Sequence, residues 1–139
     1  MDSIQRKRLL DAAKQAILAT LPDIWAIYVH GSIARNDDMP DSDLDLGLLL
    51  PPGRTFPDML SLKAQLAEAT GREADIADLR LCGNMLRKEV LTHGIPLYVA
   101  DPETVLAWEA RAMSEYAEHR LRIRDLLEDF QRTGIGYGA

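Results

Sequence analysis

The sequence predicts a single α/β (α+β) domain, a small mixed β-sheet flanked by helices, and three observations lead there. Four short runs rich in aliphatic and β-branched residues, 24–30, 43–50, 73–79 and 95–100, have the length and composition of strands. Segments with apolar residues three and four apart, bounded by Gly or Pro, alternate with them in the order αβαβαβαβα. A chain of 139 residues encloses one core and not two, so residues 1–139 are expected as one domain with its core at about 20–100.

Each element has its own signal. "DSIQRKRLLDAAKQAILATL" places Ile4, Leu9, Leu10, Ala13, Ile17 and Leu18 on one helical face, with Asp2 or Ser3 as cap and Pro22 as stop. "IWAIYVH" is short, continuous and β-branched, which suits a buried strand. Gly31-Ser32 opens a short helical turn, and "NDDMPDS" is a polar loop broken by Pro40. "DLDLGLLL", 43–50, is the second strand and ends at Pro51-Pro52-Gly53. A helix over 56–71 closes on Gly71, and "EADIADL" is the third strand. A helix over 83–94 closes on Gly94 before the strand "IPLYVA". From Pro102 to about residue 132 runs a charged helical segment, as one helix or two, followed by the Gly-rich tail "TGIGYGA".

Composition removes several function classes. A formal net charge of −6 argues against a broad nucleic-acid-binding face, so no direct contact with nucleic acid is expected. Cys82 is the sole cysteine, which excludes an internal disulfide and a cysteine metal cluster. No signal-peptide pattern opens the sequence and no apolar run is long enough for a bilayer, so a cytoplasmic protein without membrane contact is expected.

The second strand carries an anomaly. Asp43 and Asp45 share one face of a segment whose other residues are apolar. Two carboxylates that close repel, and in a half-buried site one would hold its proton unless a cation intervened. Magnesium suits them, because it prefers hard oxygen ligands and leaves positions for substrate phosphates. A carboxylate from a neighbouring strand would complete a site for two ions about 3.5–4 Å apart. "ADIADL" offers Asp75 for that place; Asp78 is the alternative, on the opposite face of a regular strand. Gly31 allows close backbone approach, and Ser32 adds free N–H groups and a hydroxyl donor for a phosphate. Together these groups would present the α-phosphorus of a nucleoside triphosphate to an attacking hydroxyl.

Gly31-Ser32, a ten-residue gap and Asp43-x-Asp45, with "GSIAR" in front, resemble the DNA polymerase β-type nucleotidyltransferase superfamily. Within it the chain is similar in length and layout to the minimal nucleotidyltransferase (MNT) group, over about residues 20–100. The resemblance implies a polymerase β-like nucleotidyltransferase fold. It implies catalysis and binding of two magnesium ions by Asp43, Asp45 and Asp75, with ATP phosphates at Gly31, Ser32 and Arg35. Members often carry Gly after that Arg, where this chain has Asn36.

The same resemblance implies a biology. MNT proteins of this size are commonly paired with a helical HEPN toxin in a type VII-like toxin–antitoxin system, as a hetero-oligomer. There the MNT member transfers AMP from ATP to a tyrosine of the toxin. A non-catalytic steric antitoxin and an aminoglycoside-type nucleotidyltransferase are the alternatives. Trp108, Ala112, Tyr116, Leu121 or Ile123, Leu126, Leu127 and Phe130 form an apolar stripe on the last helix. It would serve either packing within the chain or a helical partner.

Overall fold

The structure, a computed structural model, describes residues 1–133; the rest of the Gly-rich tail, 134–139, lies outside the described residues. Helix α1 (Ser3–Thr20) starts at a capping box in which Asp2 and Gln5 satisfy each other's backbone N–H groups. Strand β1 (Ala26–His30) runs without a gap into the one-turn helix α2 (Gly31–Arg35). After the polar loop come β2 (Leu44–Leu49), α3 (Met59–Thr70), β3 (Ala74–Asp78) and α4 (Asn84–His93). Strand β4 (Ile95–Val99) and helix α5 (Pro102–Thr133) complete the order.

The four strands stand in the order β3-β2-β1-β4. Strand β1 pairs antiparallel with β2 and β4, while β2 and β3 are parallel, so the sheet is mixed as expected. Alternation along the strands feeds a core on each face of the sheet, where the sequence suggested a single one. Ile27, Val29, Leu44, Leu46 and Leu48 pack with Leu9, Ala13 and Ile17 of α1 and Leu62 and Leu66 of α3. Ala26, Tyr28 and Leu49 meet Leu79, Val90 of α4 and Val105 of α5 on the opposite face.

Helix α5 is continuous over 32 residues, about 48 Å at 1.5 Å per residue. It has no internal Pro or Gly to break it. Its apolar stripe divides into a packed half and an exposed half. Val105 and Ala112 are buried, Trp108 joins the second core, and Tyr116 lies under the Lys88 ammonium, 5.8 Å from the ring centroid. The Tyr28 hydroxyl donates to Glu109, tying the helix to the sheet. Leu121, Ile123, Leu127 and Phe130 remain exposed, so internal packing accounts for the first half of the stripe alone.

Candidate active site

The acidic residues gather at the end of the sheet where β1 finishes and β2 and β3 begin. In the parallel pairing Asp45 is the register partner of Asp75, and across β1–β2 it faces His30. Leu44, Leu46 and Ala74 turn into the core beneath α1 and α3, so alternation sends Asp45 and Asp75 to the other face. Asp45 is half-buried; Asp43 and Asp75 are exposed. Strand β2 starts at Leu44, one residue later than the sequence pattern suggested, and Asp43 belongs to the entering loop. The Leu44 N–H donates to Glu73 O at 2.8 Å, and from that bond onward the chain is laddered to β3.

Asp78 stands apart. It pairs with Leu48 at the other end of β2, and the Arg80 guanidinium closes on both its oxygens at 3.0 and 3.1 Å. Asp75 is therefore the aspartate of β3 that sits beside Asp45.

Burial pushes the Asp45 carboxyl above its ordinary range. His30 pulls it back, Asp75 and Asp43 push it further up, and Arg35 acts with His30. All five groups thus share one electrostatic neighbourhood. Among the described residues no three His, Cys, Asp or Glu side chains stand as a ready metal cluster. The three aspartates share a field and not a closed ligand shell. Their chemistry nonetheless fits magnesium: the donors are hard oxygens, and the charged form of Asp45 is disfavoured until a cation compensates it.

Gly31 explains why a glycine follows β1. Its φ is +70°, and a side-chain carbon there would overlap Oδ2 of Asp45. The α2 backbone consequently lies directly against the carboxylate, with Ser32 next in the chain. Arg35 is at the end of α2, where its Nε meets Asp37 Oδ2 at 3.2 Å in an exposed ion pair. Asn36 caps the helix at φ 61°, in the left-handed region that Asn tolerates better than most residues.

His30 is the last residue of β1, immediately before Gly31. The structure faces it to Asp45, with Nε2 buried and without a hydrogen-bond partner. No spacing signal in the sequence marks it.

Residues 14–103 match the family described as "Polymerase beta, Nucleotidyltransferase". The chain belongs to this family. A relative of this nucleotidyltransferase is the protein adenylyltransferase MntA of Shewanella oneidensis, 24% identical over 109 residues, 78% of each chain. Among solved structures, a toxin–antitoxin crystallised with AMP-PNP superposes with a TM-score of 0.74 at 22% identity, over 88% of this chain and 98% of the other. The MNT antitoxin in complex with the tri-AMPylated HEPN toxin of Shewanella oneidensis gives 0.72 at 20% identity, over 91% and 98%. These likenesses establish the nucleotidyltransferase fold. No helix among the described residues is long and apolar enough to cross a membrane.

Proposed function

We propose that this nucleotidyltransferase transfers AMP from ATP to a tyrosine hydroxyl of a partner HEPN-type toxin and acts as the antitoxin of the pair. The observation that supports it most is the convergence of Asp45 and Asp75 in register with the Gly31 backbone against Asp45. A site of that kind places a phosphate-binding turn and a cation-demanding acid cluster within one side chain of each other. The S. oneidensis relative, named a protein adenylyltransferase, supports the protein acceptor. The neighbour solved with a tri-AMPylated HEPN toxin supports the partner class. An ATP substrate and a lone thiol suit a cytoplasmic setting.

In this reading Asp43, Asp45 and Asp75 hold magnesium, as two ions. Bound magnesium would neutralise phosphate charge and acidify the attacking hydroxyl. The backbone N–H groups of Gly31 and Ser32 and the Ser32 hydroxyl hold the β- and γ-phosphates, and Arg35 adds a cationic contact. Asp75 accepts the proton of the acceptor hydroxyl at its carboxylate. The acceptor oxygen bonds to the α-phosphorus, the bond to the bridging oxygen breaks, and pyrophosphate leaves. Ile123, Leu127 and Phe130, exposed at three- and four-residue spacing on α5, supply the apolar contact for the partner.

The test is transfer of label from α-labelled ATP to the purified partner. Wild type should label it, and Asp43→Asn with Asp45→Asn should fold yet transfer nothing. Label delivered by the double variant overturns the mechanism. A partner inhibited without acquiring label identifies a steric antitoxin instead.

A further inference from the structure

Arg72 is the most heavily engaged side chain near the acids, and the proposed reaction assigns it no part. It follows Gly71, the left-handed residue that ends α3, and is separated from β3 by Glu73 alone. Its Nη1 donates to the carbonyl oxygens of Met39 and Ser42 at 3.1 and 3.0 Å. Its Nη2 donates to Asp38 Oδ2 at 3.1 Å. The side chains of this ion pair are 12% and 5% exposed, so the pair is screened from water. The backbone of Arg72 is fixed in turn, because its N–H donates to Thr70 Oγ1 at 3.2 Å. The loop has its own brace, with the Met39 N–H donating to Ser42 Oγ at 2.7 Å.

These bonds join two chain segments that approach the acid cluster separately. Residues 38–42 lead to Asp43, which lacks the strand ladder that fixes Asp45. Arg72 leads to Asp75, three residues on. We propose that Arg72 is a positioning residue, whose guanidinium fastens the loop presenting Asp43 to the segment leading into the strand that presents Asp75 and so limits how far the two acids can part when a metal binds. The inference rests on the assignment of Asp43, Asp45 and Asp75 as metal ligands. A planar fork with five donors suits the task, since it spans two carbonyls and a carboxylate at once, whereas an ammonium concentrates its donors at one point.

The test compares Arg72→Met and Arg72→Lys with wild type in the full chain. Each is measured for melting temperature, magnesium dependence of transfer to the partner, and Mn2+ binding with a non-hydrolysable ATP analogue. Leu62→Ala, a core truncation outside the loop, serves as the control for destabilisation alone. Arg72→Met should lose about 10- to 100-fold in kcat, as changes to groups that orient metal ligands do. It should also need more magnesium for half-activation, bind Mn2+ more weakly and keep its KM for the partner, with Arg72→Lys in between. Unchanged kcat and Mn2+ affinity in Arg72→Met overturn the proposal, as does an equal loss in Leu62→Ala. A wild type that neither transfers nor binds Mn2+ with nucleotide overturns the metal assignment itself, and this inference with it.

Discussion

Asp45 and Asp75 stand side by side on parallel strands, paired in register, and the charge of Asp75 helps to raise the Asp45 carboxyl above its ordinary range. Two acids in that relation oppose the fold when nothing binds them. The expected behaviour of the chain follows from how that opposition is relieved.

Asp45 should cost stability in the metal-free protein at neutral pH. Its carboxyl is raised above 3.8 in the fold, mainly by burial. A raised acid favours folding below its ordinary value, and that contribution disappears as pH climbs through the folded value. Asp45→Asn should therefore melt above wild type at pH 7 in chelator, with the gap narrowing as pH falls towards 4. Melting curves across that range check it; a variant that melts at or below wild type at pH 7 contradicts the assignment.

Gly31→Ala should separate fold from chemistry. The left-handed backbone costs an alanine about 1–2 kcal/mol. Its methyl would also displace the Asp45 carboxylate. Circular dichroism should report a folded chain, while transfer falls on the order of a hundredfold from misplacement of a reacting-site group. Near wild-type transfer would show that the contact of Gly31 with Asp45 does not matter.

Tyr28→Phe tests the join between sheet and α5. The Tyr28 hydroxyl is raised in pKa by burial, then by its hydrogen bond to Glu109 and that carboxylate's charge, and it stays protonated as donor throughout the working range. Removing it leaves Glu109 without that donor, at a cost of about 1–3 kcal/mol. The melting temperature should drop while the transfer rate at low temperature is kept.

Truncation after His119 addresses the partner. No residue of α5 beyond Ala112 is buried, so the shortened chain should melt within a few degrees of wild type. Association with the proposed HEPN-type partner, followed by calorimetry, should weaken sharply. Undiminished affinity would move the docking surface elsewhere.

Local chemistry made most elements legible. Gly71 stops α3, and Pro102 opens an α5 free of breakers until Gly134. Alternation put Asp45 opposite in facing to Leu44 and Leu46, and an offset of three residues already disfavoured Asp78 beside Asp75. Strand order was not legible, because pairing β1 with β4 is settled by contacts about seventy residues apart in sequence. Nor was the grip of Arg72, which reaches carbonyls 30 and 33 residues away. In the sequence it is one more arginine after a helix-ending glycine. The buried Nε2 of His30 belongs with it, since only the assembled sheet brings that ring to Asp45.

The central claim is that Asp43, Asp45 and Asp75 act together as ligands for a pair of divalent ions bridged by nucleotide. Electron paramagnetic resonance of Mn2+ titrated with a non-hydrolysable ATP analogue measures this directly. Wild type should bind two interacting ions per chain, and Asp75→Asn should lose one while keeping its fold. Identical Mn2+ stoichiometry and coupling in wild type and Asp75→Asn would contradict the account.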